Sequence, residues 1–182
     1  HNLSQVAKML TNSNVDSIIT TNGSTPLMIA ASSSTSLGST QVLQVILDKG
    51  ADCNVTRPDG MTALIFACEF KNWDVARILI KAGADVNARK SNGYTALTTA
   101  SVHGEASIVR SLLYAGADID ALNNDGDTAL TRASEEKRPS VVKILLEMGA
   151  NTKIKTKIEG WTALQIAIFH AETGDFSVAR VF

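Results

Sequence analysis

The sequence is poor in most of the features that announce a chemistry. Among 182 residues there are two cysteines, Cys53 and Cys68, three histidines and three prolines, and aromatic residues make up 5%. Two thiols provide neither a disulfide framework nor a four-ligand zinc site. Each sits in an otherwise apolar stretch, where cysteine acts as a small buried hydrophobe. The histidines, His1, His103 and His170, are far apart, and no HExxH, CxxC, phosphate loop or nucleophile elbow occurs. Catalysis needs a nucleophile, a base and an orienting group brought together, and that inventory is missing. The expectation is a chain that is not an enzyme, with no metal and no cofactor.

Charge of one sign is also lacking. Seventeen basic residues face 18 acidic ones for a net charge of −1, so no global field exists to draw in nucleic-acid phosphates or an anionic membrane. No apolar run reaches the roughly 18 to 20 residues that span a bilayer, and the first twenty residues carry no signal-like block. A cytoplasmic location, no nucleic-acid partner and no membrane insertion are the resulting expectations. Glu135-Glu136 and Asp125-Gly126-Asp127 invite a reading as paired carboxylates, but fit a solvated rim and a turn better. Lys153 to Lys157 fits a solvated finger.

What is present is a repeat. Apolar residues make up 45% and charged residues 19%, the balance of a folding globular chain. Gly50-Ala51-Asp52, Gly83-Ala84-Asp85, Gly116-Ala117-Asp118 and Gly149-Ala150-Asn151 recur with glycines 33 residues apart. Thr25-Pro26-Leu27, Thr62-Ala63-Leu64, Thr95-Ala96-Leu97, Thr128-Ala129-Leu130 and Thr162-Ala163-Leu164 run out of phase with them, each with a glycine two residues upstream. Between the two lies a helical apolar pattern, Val75 to Ile80, echoed by Val42 to Leu47, Ile108 to Leu113 and Val141 to Leu146. A fixed period of this size signals stacked units.

One unit shows the physics. Asp59-Gly60 makes a tight turn, and Thr62 stands where a helix N-cap belongs, a contribution of about 1 kcal/mol. A first helix runs to about Phe70. A second covers Asp74 to Lys81, with Val75, Ile78 and Leu79 on one stripe, and Gly83 closes it in the left-handed conformation. Neither helix buries its apolar face within the unit, so neighbours are part of the fold.

These residues resemble the ankyrin repeat, over almost the whole chain. The resemblance implies an all-α ankyrin-repeat solenoid of stacked helix-turn-helix units with protruding β-hairpin fingers. The spacings divide it into a degraded leading repeat at 1–19, repeats at 20–56, 57–89, 90–122 and 123–156, and an incomplete fifth at 157–182. Leu3 to Leu10 reads as the second helix of the leading unit. Val178 to Phe182 repeats the Val75 to Leu79 pattern without a closing glycine, as a segment of a longer protein would.

The first repeat has four extra residues within Ser32 to Ser39, and the last has three near Ala171 to Asp175. Both are expected to enlarge the turn between helices, and the serine tract is a candidate for modification. The family's Thr-Pro-Leu-His pattern is incomplete. Its last position reads Met28, Ile65, Thr98, Thr131 and Gln165, so the interlocking histidine hydrogen bonds it would supply are absent. Asn54 and Asn87 match positions that some ankyrin proteins have hydroxylated.

The resemblance also implies a function: a non-catalytic protein-protein interaction module, monomeric in isolation, whose partner lies against finger tips and first helices. By alignment the finger positions are Ser24, Met61, Tyr94, Asp127 and Trp161, and the first-helix positions Ser32 with Ser33, Glu69 with Phe70, Val102 with His103, Glu135 with Glu136, and Phe169 with His170; the candidate contacts among them are Met61, Tyr94, Asp127, Trp161, Phe70, His103, Glu135 and Phe169. Arg57, Arg89 and Lys90 form a basic flank. Tyr94 and Trp161 lead, because large aromatics are favoured interface anchors. Trp73 falls at an apolar position of the second helix and is expected in the core. The alternative is a regulatory domain that holds a small nucleotide-like ligand on its concave face.

Overall fold

The computed structural model describes residues 14–17, 20–33, 36–172 and 174–182, with only the backbone of 36–39. Leu3 to Leu10, read above as a leading helix, lies outside the described residues. The chain divides into two compact units, His1–Ser91 and Asn92–Phe182.

The first unit contains α1 (Pro26–Ser32), α2 (Ser36–Asp48), α3 (Ala63–Glu69) and α4 (Trp73–Lys81). Each first helix starts where a threonine hydroxyl accepts a backbone N–H three residues on. Thr25 takes Met28 at 3.4 Å and Thr62 takes Ile65 at 3.3 Å. Pro26 at the first position of α1 loses nothing, since its N–H would have no intrahelical partner there. α1 packs on α2 and α3 on α4, while α1 meets α3 and α2 meets α4. Leu27, Leu43, Ile46, Leu64, Ile65 and Leu79 fill the spaces between them and are fully buried. Each contributes about 1.5–3 kcal/mol.

The second unit repeats the scheme with α5 (Ala96–His103), α6 (Ala106–Tyr114), α7 (Ala129–Glu135), α8 (Pro139–Glu147) and α9 (Ala163–Glu172). α5, α7 and α9 pack in sequence as one layer, and α6 with α8 forms the other. Leu97, Ile108, Leu112, Leu130 and Leu145 are its buried centre. The missing histidines are replaced here. The Thr131 hydroxyl accepts the Thr128 N–H at 2.8 Å while Thr128 caps Thr131 at 3.2 Å, a reciprocal capping box. Gln165 Oε1 takes the Thr162 N–H at 2.9 Å in the same way.

Exit loops and fingers are tied by rungs between successive repeats. In the first unit Asp16 Oδ1 accepts the Asp52 N–H at 3.0 Å and Asn54 Oδ1 accepts the Asp85 N–H at 2.8 Å. In the second, Asp120 Oδ1 accepts the Asn151 N–H at 2.9 Å. The fingers are linked by Ser91 N–H to Asp59 O at 2.7 Å, Asn124 N–H to Asn92 O at 3.0 Å and Lys157 N–H to Asp125 O at 2.9 Å. They are built from turns: among the described residues the isolated β-bridge is Lys155 with Thr162.

Three expectations change. The four extra residues of the first repeat do not widen a loop, because α2 begins at Ser36 and runs for 13 residues against 9 in α4. They extend the second helix at its start. In the last repeat α9 runs to 10 residues against 7 in α3 and α7, so part of the excess lengthens the first helix. Trp73 is half-buried, not core. As the first residue of α4 it has no preceding turn to cover it, and an indole is seldom enclosed completely.

Both cysteines are buried. Within α3, burial pushes the Cys68 thiol up to about 12, with Glu69 adding to the rise. Cys53 is raised too, first by burial and then by the carboxylates of Asp52 and Asp16. Above about pH 9 an unfolded chain ionises Cys68 while the folded one does not, so its contribution to stability falls as pH climbs from 9 toward about 12. At about pH 8 Cys68 is expected to resist disulfide reagents until denaturant is added. Peptide mapping of the modified thiols checks this, and rapid labelling of the native protein at Cys68 would contradict it.

Candidate functional site

In the second unit three successive fingers converge on α7 and α9. Each finger is held by its own side chains. Asn92 Oδ1 accepts the Tyr94 N–H at 3.1 Å. Asn123, itself buried, accepts from Asp125 N–H at 2.9 Å and Asp127 N–H at 2.7 Å, and its Nδ2 donates to Asp127 Oδ2 at 3.1 Å. In the last finger Thr156 N–H reaches Trp161 O at 2.9 Å, Trp161 N–H reaches Thr156 Oγ1 at 3.3 Å, and the Thr156 hydroxyl donates to Glu159 at 3.3 Å. Short polar side chains thus fix loops that carry large ones.

The side chains so placed enclose a cavity of about 290 Å³. Tyr94, Trp161, Phe169 and His170 give it aromatic walls, and Asp125, Asp127, Glu135 and Glu159 line it with carboxylates. Trp161 and Phe169 stand 5.3 Å apart, tilted by 51°, an arrangement favoured by ring quadrupoles. Arg132 of α7 is the cation lining the cavity. It lies over the Tyr94 ring at 6.0 Å and is clasped by Glu135 and, at 3.1 Å, by Glu136. Burial raises the Tyr94 hydroxyl's pKa; Arg132 opposes the rise, while Asp127 and Glu135 add to it.

Apart from His103, the other predicted contact residues belong to the first unit. Phe70 is 54% exposed and stacks on Phe66, ring centroids 5.9 Å apart. Arg57 lies over the other aromatic partner, Phe66, at 5.4 Å and pairs with Asp59 at 2.9 Å. Lys90 pairs with Glu69 at 3.1 Å. Met61 is half-buried behind the finger turn, and Arg89 is exposed. The basic flank is thus largely spent on internal ion pairs.

Among the expected contacts, Tyr94, Asp127, Glu135, Trp161 and Phe169 share the cavity. His103 is half-buried at the end of α5 and does not line it. His170, beside Phe169 on α9, lines it too, and Arg132, Asp125, Thr156, Ile158, Glu159 and Ile166 line it without having been predicted as contacts. Arg132 had a signal in the sequence: it stands three and four residues before Glu135 and Glu136, the spacing of helical ion pairs.

A family model described as ankyrin repeats, three copies, matches residues 35–123 and 109–181. The chain belongs to the ankyrin-repeat family. No curated protein matches it closely enough to add a relative. Ankyrin repeats are generally protein-protein interaction modules and typically non-catalytic. Among the described residues no helix is long and apolar enough to cross a membrane, and no group of three or more His, Cys, Asp or Glu is placed to hold a metal ion.

Proposed function

We propose that this ankyrin-repeat chain is a non-catalytic binding module that receives a partner protein on its fingers and first helices, with the Tyr94–Trp161–Phe169 cavity as the principal anchor point. The observation that supports this most is the cavity itself. It places several aromatic side chains with accessible surface around a hollow, on loops already ordered by Asn123 and Thr156, so little entropy is lost when a partner side chain enters. Phe70, Met61 and Arg57 offer a second contact in the first unit. Partner capture by the Tyr94→Ala/Trp161→Ala variant is the test, and undiminished capture would remove the cavity from the interface.

The regulatory reading, a nucleotide-like ligand, finds less support. Four carboxylates line the cavity against Arg132, which Glu135 and Glu136 already neutralise. A triphosphate entering there would meet repulsion, and Arg57 and Lys90 hold carboxylates of their own. A thermal-shift panel of nucleotides is expected to leave the melting temperature unchanged. A bound nucleotide at 100 times its Kd would add about 2.7 kcal/mol, so the contrary result would be plain.

A further inference from the structure

The cavity of the second unit carries a charge imbalance that its own residues do not remove. Asp125, Asp127, Glu135 and Glu159 line it, and Arg132 is the lone cationic lining residue. The two terminal guanidinium nitrogens of Arg132 are held by Glu135 and by Glu136, which caps the end of α7. Among the described residues no cation pairs with Asp125, Asp127 or Glu159. Asp127 and Glu159 accept hydrogen bonds from the neutral groups of Asn123 and Thr156, which orient the carboxylates without discharging them. Lys157 of the last finger donates to the Asn124 carbonyl at 3.0 Å.

The walls fit the same kind of guest. A cation is attracted to the face of an aromatic ring, most strongly when partly withdrawn from water. The cavity already shows this with the chain's own Arg132, whose guanidinium sits over Tyr94 between carboxylates. Trp161 and Phe169, which line the cavity with Asp125, Asp127 and Glu159, provide the same elements a second time; the His170 ring stands 5.9 Å from Phe169, and among the described residues no Arg or Lys lies over either ring. A volume of about 290 Å³ is enough for one long side chain.

We infer that this cavity receives a basic side chain, arginine or lysine, from an extended basic segment of the partner protein, held between the Trp161 and Phe169 rings and the carboxylates of Asp125, Asp127 and Glu159. The inference rests on the protein-binding reading and names the chemistry of its partner. A free metal cation is a poorer match, because among the described residues no three of the lining carboxylates and His170 come close enough together to hold one. An acidic or phosphorylated segment is repelled by the same carboxylates.

The test uses the two tryptophans as reporter and control. The protein labelled with nitrogen-15 is titrated with the blocked peptide acetyl-(Gly-Arg)3-amide, with its lysine counterpart and with acetyl-(Gly-Gln)3-amide, and the indole N–H signals of Trp161 and Trp73 are followed. The expected result is a saturable shift of Trp161 with the arginine or lysine peptide, none with glutamine, and a Trp73 signal that stays in place. In the Asp125→Asn/Glu159→Gln variant, which keeps the polar atoms and the fold, the apparent Kd should rise about fivefold, the sum of two modest charge pairs.

An unmoved Trp161 with both basic peptides, or equal response to the glutamine peptide, overturns the inference. So does unchanged affinity in the charge-removed variant. These failures are separate from that of the parent reading. If basic peptides leave Trp161 unmoved but Tyr94→Ala/Trp161→Ala still abolishes partner capture, the module binds protein through another chemistry.

Discussion

Gly93→Ala is expected to lower the stability of the protein by about 2–4 kcal/mol, while Gly83→Ala costs only about 1–2 kcal/mol. Both glycines have positive φ, +82° and +86°, so the left-handed backbone penalises a side chain equally at each. What differs is the space. A Cβ at Gly93 would lie 2.8 Å from the Asn124 backbone nitrogen and 2.9 Å from the Asn123 Cα, whereas nothing lies within 4 Å at Gly83.

Asn123 and Asn124 cannot step aside cheaply. Asn124 is tied to Asn92 O, and Asn123 orders the finger that carries Asp125 and Asp127. The same close approach recurs at Gly60, where a Cβ would run into the Arg89 carbonyl oxygen. Urea unfolding of the two alanine variants measures the difference. Equal losses at Gly93 and Gly83 would mean that the finger stack gives way and that only backbone handedness matters.

The contrast also separates what the sequence makes legible from what it does not. Thr62 before an apolar run and Gly83 after one each specify a local event, a cap and a stop, and local events can be read from neighbours in sequence. The second role of Gly60 and Gly93 is not local. It arises because the next finger, some 30 residues on, passes within contact distance. The repeat period implies that fingers neighbour one another, but not which atom each glycine faces.

The site divides in the same way. Aligning finger tips and first helices locates Tyr94, Asp127, Glu135, Trp161 and Phe169, because the period alone brings them to one end of the units. Asp125 reads as a turn residue, and nothing in the repeat pattern singles out Glu159 or Arg132. Their placement around a common hollow depends on how Asn123 and Thr156 bend two loops. The extra residues near Ser36 show the limit from the other side: a polar, serine-rich stretch looks like a loop, yet it continues α2 because the helix already has a packed apolar stripe to build on, with Val42, Leu43 and Ile46 buried.

Tyr94→Ala/Trp161→Ala is expected to reduce partner affinity by 100-fold or more, by roughly 3–5 kcal/mol if the two act as buried interface anchors. Removing Trp161 also takes away the ring packed at 5.3 Å on Phe169, so Phe169 loses its orientation and the two losses are coupled. The fold should tolerate the change. Tyr94 and Trp161 are only half-buried, and the layers beneath them rest on the fully buried Leu97 and Leu130. Circular dichroism and a melting curve establish that the variant is folded, and Phe70→Ala supplies the comparison from the first unit. Loss of capture in the double variant with retention in Phe70→Ala places the anchor in the cavity; the reverse pattern would move it to the Phe66–Phe70 stack and the Arg57 surface.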